Sequence, residues 1–145
     1  NLSFLKDGGR MAIVLPQGRF NNASDKYIRD YIAERCRILA VVGLHGNVFK
    51  PHTGTKTSVL FVQKWDDKLC PKKDDYPIFF ATMRAPCKYN YSEKIYCVDE
   101  EGKLILDEHQ HLIVKHDLYN HDGLTSDGIA EAFIEFAKKE KLSFF

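Results

Sequence analysis

The sequence has 145 residues and a net charge of +1 at pH 7, and its 44% hydrophobic and 28% charged residues are usual for a globular protein. This length supports one domain with a substantial core and is too short for two complete domains of ordinary size. No apolar run reaches the length needed to cross a bilayer, and the first residues lack a signal-peptide pattern, so we expect no membrane partner.

The charge is distributed unevenly along the chain. Residues 1–65 contain ten Lys and Arg against four Asp and Glu, a net +6, whereas residues 66–145 contain eleven against sixteen, a net −5. A basic half favours contact with a polyanion, although solvated charged faces would give the same asymmetry.

The four cysteines show neither a CxxC pair nor the spacing of a zinc site: Cys36, Cys70, Cys87 and Cys97. A disulfide framework is equally absent from their spacing. We therefore expect reduced thiols, no metal site and a cytoplasmic location.

Three short apolar runs predict strands in the first half, at residues 10–15, 38–42 and 58–62. They are rich in β-branched residues and nearly free of charge, which is typical of strands covered on both faces. Residues 23–36 predict an amphipathic helix between the first two strands. The first two strands should therefore be parallel, whereas the third, which follows a loop, should run antiparallel.

The helical stripe places five apolar residues on one face, namely Tyr27, Ile28, Tyr31, Ile32 and Cys36, while Arg37 falls among the polar positions. The first strand has no predicted neighbour before it in the sequence. We therefore expect the chain to be the C-terminal part of a larger domain. In isolation it should self-associate through the exposed apolar edge of that strand.

The second half is more irregular. Residues 76–83 predict a strand that Pro77 either restricts to an edge of the sheet or limits to a start after Pro77. Residues 95–98 and 103–106 predict a hairpin, and residues 111–115 predict a third small strand. A helix should follow a cap at Ser126 or Asp127 and end at about Lys139. No internal repeat is evident from the residues.

The loop at residues 43–57 is longer than an ordinary hairpin turn, and loops of this size in compact folds tend to carry function. Its middle residue, Phe49, lies among polar residues that include Lys50 and Lys56. This composition is typical of a surface that stacks on bases and binds phosphates. The alternative is that Phe49 folds back to cover the sheet edge.

Two segments carry a family resemblance: GGRMAIVLPQGRF at residues 8–20 and IRDYIAERCRILAVVGLHGNVFKPHTGTKTSVLFVQKW at residues 28–65. They resemble the C-terminal half of the catalytic domain of N6-adenine DNA methyltransferases. More closely, they resemble the modification subunit of type I restriction–modification systems.

The resemblance implies an α/β fold, the C-terminal half of a seven-stranded S-adenosylmethionine-dependent (Rossmann-like) methyltransferase sheet with the reversed strand between its two neighbours. Residues 1–66 would belong to the catalytic domain, and residues 67–145 would form a tail of short strands or a hairpin and a C-terminal helix. The parent protein would transfer a methyl group from S-adenosylmethionine to adenine N6 in double-stranded DNA. A specificity subunit would be its partner, with a restriction subunit as a further candidate.

The family's glycine-rich cofactor motif and its Asn-Pro-Pro-Tyr/Phe catalytic motif do not occur in the sequence. By resemblance, the chain supplies no catalytic and no cofactor-binding residue, and we expect it to be inactive in isolation. Phe49 occupies the position of the aromatic residue that packs against the flipped adenine. The resemblance assigns DNA contacts to the surrounding loop, namely Lys50, Pro51, Thr53, Thr55 and Lys56, and a place on the same rim to Gln17 and Gly18.

Two other functions remain open from the residues. The same strands would serve a methyltransferase that acts on RNA or protein. The chain could also be a non-catalytic interaction module, in which the acidic residues 66–145 dock a partner subunit and Phe49 serves only in packing. Salt-dependent binding of nucleic acid would distinguish this module from a DNA-contacting role.

Overall fold

A computed structural model describes residues 1–89, 93–120 and 128–144 of the protein. The four strands of its mixed sheet are β1 (Arg10–Pro16), β2 (Cys36–Gly43), β3 (Thr57–Lys64) and β4 (Phe79–Thr82), in the spatial order β1-β3-β2-β4. The helices are α1 (Gly18–Asn21), α2 (Lys26–Arg35) and α3 (Ile129–Lys139), with 3-10 turns at Leu2–Phe4 and Ala23–Asp25. Within the described ranges, no helix has the length and apolar character that a membrane span requires.

Strand β3 lies between β1 and β2 and runs antiparallel to both. On one side Ile13 faces Leu60, and on the other side Val41 faces the same leucine. The predicted reversed strand between two parallel strands is therefore confirmed, as is the α/β class. Among the described residues, β1 pairs with β3 alone, so β1 is an edge strand of the described sheet. Self-association through this edge stays a prediction.

Strand β4 pairs in parallel with β2, from Ala40 opposite Phe79 to Gly43 opposite Thr82. The predicted edge position is confirmed, since β4 ends the strand order and begins two residues after Pro77, whose missing amide hydrogen cannot join a ladder. Both β4 and α3 come from the acidic half of the sequence, and both lie against the sheet.

Each face of the sheet has its own core because side chains alternate along each strand. On the α2 side the fully or nearly buried residues are Cys36, Leu60 and Val62, with Ile32 of α2 packed against them. On the α3 side Leu39 packs with residues of α3 and of the segment after it, including Ala137. The predicted apolar face of α3 is confirmed. Its proposed caps, Ser126 and Asp127, lie outside the described residues.

The predicted stripe of α2 is only partly correct. Tyr27 and Tyr31 remain exposed, and the guanidinium carbon of Arg35 lies 3.8 Å from the Tyr31 ring centre. A tyrosine on the flank of a helix keeps its hydroxyl in water at little cost, whereas isoleucine does not. Arg37, expected among the exposed polar positions, is instead buried in β2 because the helix ends at Arg35.

A tandem repeat of eight residues occupies the tail, CVDEEGKL at residues 97–104 and ILDEHQHL at residues 105–112. The expectation that no internal repeat exists was therefore wrong. Each unit turns about an aspartate: Asp99 Oδ1 accepts the Glu101 and Lys103 amide hydrogens, and Asp107 Oδ1 accepts the corresponding two amides. The amide of His111 and, to a smaller extent, that of His109 hold the pKa of Asp107 below its ordinary value.

Backbone hydrogen bonds join the two units of the repeat to each other and to the residues that follow them. The amide of Ile105 bonds to the carbonyl of Cys97, that of Ile113 to Ile105, and that of Cys97 to Ile113, at 2.8–3.1 Å. The predicted hairpin and third strand do not form as strands, although isolated bridges join Val98 to Leu104 and Leu106 to Leu112. These bridges are shorter than continuous strands because each unit turns again after only a few residues.

The repeat predicts opposite effects at equivalent positions. Gly102 (φ 82°) and Gln110 (φ 65°) both have left-handed backbone, which suits glycine and strains other residues. Gly102→Ala should lower the free energy of unfolding by about 1 kcal/mol, and Gln110→Gly should raise it by about 0.5–1 kcal/mol. Urea denaturation measures both, and effects of the same sign would contradict the equivalence of the two turns.

Candidate nucleic-acid interface

The carboxyl ends of β1, β2 and β4 meet at one edge of the sheet because these three strands are parallel to one another. In open α/β sheets this edge is where ligands bind. A cleft of about 460 Å³ opens there. Its polar lining includes Gln17, Asn21, His45, Lys56, Thr57 and Thr82.

The loop between β2 and β3 is ordered by its own hydrogen bonds. The amide of Val48 bonds to the carbonyl of His45 at 3.0 Å, and the amides of His52 and Thr53 bond to the carbonyl of Phe49 at 2.9 and 3.1 Å. At its base, the amide of Leu44 bonds to the carbonyl of Thr57 at 2.9 Å. The loop therefore presents its side chains from a defined backbone.

Phe49 retains 37% of its surface in contact with solvent. It is not a member of either core cluster. A planar ring that is held by an ordered backbone and still exposed can stack on another flat group. The structure therefore leaves the Phe49 ring accessible at the place where the sequence assigned a base contact.

The other loop residues that were predicted to contact DNA differ in their exposure to solvent. Pro51, Thr53, Thr55 and Lys56 are exposed, whereas Lys50 is half-buried and is joined to Pro51 by a cis peptide bond. The hydroxyl of Thr53 accepts the Thr55 amide hydrogen at 3.1 Å. These side chains cover the surface of the loop.

Gln17 and the loop are brought together, as the sequence predicted. The Gln17 amide bonds to the Lys56 carbonyl at 3.0 Å, and both residues line the cleft. Gly18, which the resemblance placed on the same rim, begins α1 and is not among the residues that line the cleft.

The charge at this edge suits an anion. Among the described residues that line the cleft, Lys56 carries a positive charge, and none is an aspartate or glutamate. A carboxylate-free rim does not repel phosphate, and lysine and backbone amides are common phosphate contacts. The same lining does not fit S-adenosylmethionine, since no carboxylate is present there to bind the ribose hydroxyls.

Lys88 is a site residue that the sequence analysis missed. It comes from the tail, and its ammonium donates to the carbonyls of Val48 and Lys50 at 2.9 and 3.2 Å. The Asn47 side chain in turn donates to the Lys88 carbonyl at 2.9 Å. No local pattern connects positions so far apart in sequence, so only the fold reveals the contact.

The cysteines and histidines show no sign of metal chemistry in the described part of the chain, where no group of three or more His, Cys, Asp and Glu is placed to hold an ion. All four cysteines are free thiols. Burial raises the pKa of Cys36, Cys70 and Cys87 above that of an ordinary thiol, which keeps them protonated and unreactive at neutral pH.

The fold and this edge define an α/β protein with an aromatic loop beside the ligand edge of its sheet. The chain belongs to the N-6 DNA Methylase family, whose sequence profile matches residues 1–138. The family resemblance inferred from the residues is therefore confirmed.

The chain is 39% identical over 64 residues to the methylase subunit of the type I restriction enzyme EcoEI from Escherichia coli, a match that covers 43% of this chain and 13% of that subunit. Two solved structures are similar to part of this chain. One is described as a class I S-adenosylmethionine-dependent methyltransferase from Listeria monocytogenes (21% identity, TM-score 0.47, 56% of this chain and 24% of that one). The other belongs to a type I restriction–modification assembly (16% identity, TM-score 0.46, 94% and 34%).

Proposed function

We propose that this chain is part of the modification subunit of a type I restriction–modification system, and that it supplies the loop that receives the target base. The parent protein transfers a methyl group from S-adenosylmethionine to adenine N6 in double-stranded DNA. It acts in the cytoplasm with a specificity subunit, and a restriction subunit is a further candidate partner. The family match over residues 1–138 and the methylase subunit at 39% identity support this proposal.

The observation that carries the role of the loop is the Phe49 ring, 37% exposed on an ordered loop. Other residues of the same loop, His45 and Lys56, line the carboxylate-free cleft, although Phe49 itself does not. An enzyme that modifies a base in a duplex must take that base out of the stack, at a cost of a few kcal/mol. An aromatic face offsets part of this cost, since stacking of a base on an aromatic side chain contributes about 1–3 kcal/mol. Phe49 is the platform in this proposal.

The neighbouring loop residues hold the DNA rather than the base. Lys56 is exposed on the rim of the cleft, where its ammonium can bind a phosphate, and Lys50 lies next to the platform. The hydroxyls of Thr53 and Thr55 are further donors to phosphate oxygens. These contacts position the duplex and carry no base specificity, which agrees with a separate subunit that reads the sequence.

Methyl transfer itself needs groups beyond this chain. S-adenosylmethionine is the methyl donor of the parent protein. The glycine-rich motif and the Asn-Pro-Pro-Tyr/Phe motif do not occur in these residues. We therefore propose that the isolated chain is inactive, and that its contribution is to bind and orient the base.

Phe49→Ala tests the proposal in the assembled modification enzyme. Loss of the stacking face should lower kcat/KM for adenine methylation roughly tenfold to a hundredfold, because the flipped base loses about 1–3 kcal/mol of stabilisation. Affinity for S-adenosylmethionine should stay within about twofold of wild type, since the proposed role of the ring is to contact the base. Steady-state kinetics with duplex DNA and equilibrium cofactor binding give the two quantities.

The matched control is Tyr27→Ala, which removes an aromatic ring that is 69% exposed on α2 and is not part of the loop. It should leave methylation unchanged. If Phe49→Ala methylates duplex DNA as fast as wild type, the platform role is wrong and Phe49 serves in packing.

A further inference from the structure

We infer that Lys88 is a positioning residue for the Phe49 platform, and that the tail thereby contributes to the target-base site. This inference rests on the proposed function of the loop and extends it to a residue outside residues 1–66. It starts from one geometric fact, the ammonium of Lys88 between two loop carbonyls. Those carbonyls belong to Val48 and Lys50, the residues on either side of Phe49.

The two hydrogen bonds from the Lys88 ammonium, which we call the clasp, fix the backbone of the platform from both sides. The Lys88 Nζ atom is 2.9 Å from the Val48 oxygen and 3.2 Å from the Lys50 oxygen. Hydrogen bonds with a charged donor are stronger than neutral ones, and two of them from one ammonium hold the two peptide groups together. The Phe49 backbone lies between these peptides, so its orientation depends on the cation.

A reciprocal bond closes the clasp. The side chain of Asn47 donates to the Lys88 carbonyl at 2.9 Å, and Asn47 itself is only 9% exposed. The two residues therefore join the loop and the tail through a side chain of each. An exposed surface lysine would move freely, whereas Lys88 is half-buried and makes its bonds to the backbone.

The residues just before Lys88 are in turn held by hydrogen bonds to other parts of the tail. The carboxylate of Asp117 accepts the amide hydrogens of Arg84 and Ala85 at 2.7 and 3.3 Å. The carbonyl of Asp117 accepts the amide hydrogen of Ile129, the first residue of α3, at 3.0 Å. The amide of Ile95, which leads into the repeat, bonds to the carbonyl of Cys87 at 2.9 Å. A connected set of hydrogen bonds thus runs from α3 and the repeat to the Phe49 backbone.

Such support matters because a platform must be in place before the base arrives. A reacting group displaced by about 1 Å can lose a hundredfold in rate. If water replaced the Lys88 ammonium at these two carbonyls, the loop would still bind DNA. The Phe49 ring, however, would adopt many orientations relative to the base. The expected signature is a lower kcat with little change in the affinity for DNA.

The test is Lys88→Met in the assembled modification enzyme, with duplex DNA as substrate. Methionine keeps most of the length of the side chain and removes the donor, so kcat should fall roughly tenfold while the DNA Kd changes less than about twofold. Lys88→Arg, which restores a charged donor, should recover part of the rate. Lys115→Met is the matched control, because Lys115 is exposed in the same tail, and it should behave as wild type.

A double-mutant cycle with Phe49→Ala separates positioning from general stability. If Lys88 acts through Phe49, Lys88→Met should have little further effect once the ring is gone. A loss of the same size in both backgrounds, or a Lys88→Met enzyme as fast as wild type, would overturn the inference and leave the platform proposal intact. An unaffected Phe49→Ala enzyme would instead overturn the platform and the clasp together.

Discussion

Replacing Leu60 with alanine is expected to lower the free energy of unfolding by about 2–5 kcal/mol, the range for removing a buried leucine from a packed core. Leu60 is 4% exposed and lies at the middle of β3, the strand that joins β1 to β2. Its side chain packs on the α2 face with Cys36 and Val62. The loss combines the transfer energy of the missing methyl groups with the cavity that the sheet is too rigid to close.

Val14→Ala is the matched control for Leu60→Ala. Val14 lies on the edge strand β1 and is 46% exposed, so its truncation should change stability by less than about 1 kcal/mol. Urea denaturation followed by circular dichroism gives both values, and an unchanged slope confirms that only stability has changed. Equal effects of the two substitutions would show that β3 is not the centre of the core.

Replacing Arg37 with alanine is expected to cost about 2–4 kcal/mol, whereas replacing it with methionine should change stability by less than about 1 kcal/mol. The side chain of Arg37 is 8% exposed, and its guanidinium carbon lies 5.2 Å from the ring centre of Tyr76. Its ion pair with Glu140 is long at 4.0 Å. Packing of the long side chain therefore contributes more than its charge.

The pair of Arg37 variants separates volume from charge. Methionine fills the same space without the desolvation penalty of a buried cation, and the Nε atom of Arg37 has no hydrogen-bond partner among the described residues. The same urea titration measures both variants. If methionine proves as harmful as alanine, the ion pair and the ring contact, rather than volume, stabilise this position.

The sheet could be predicted from sequence where local pattern and burial agree. The runs that became β1, β2 and β3 are short, β-branched and flanked by polar turns, so their positions and the reversal of β3 followed from period and loop length alone. Pro77 likewise limited the start of β4, which begins at Phe79. These features depend on residues that are close together in sequence.

The features that escaped prediction depend on contacts between distant residues. Arg37 was assigned to the polar positions of the predicted helix, whereas in the structure it is buried in β2, near Tyr76 and Glu140. The repeat was hidden because Gln110 stands where the first unit has Gly102. Lys88 stood in a segment with no pattern, and its role depends on a loop that the chain reaches much earlier. The exposed Phe49 could be singled out from sequence, but its support could not.

The central position of β3 also bears on how the protein is made. In the described structure, β1 has β3 as its partner, and β2 has β3 and β4, both of which follow it in the sequence. At about 5–20 residues per second, a ribosome therefore exposes β1 and β2 for about one second or more before β3 is available to pair with them. Gly43 opposite Ser58 closes the Phe49 loop when β3 docks, so a nascent chain halted before β3 lacks the closed loop that presents Phe49.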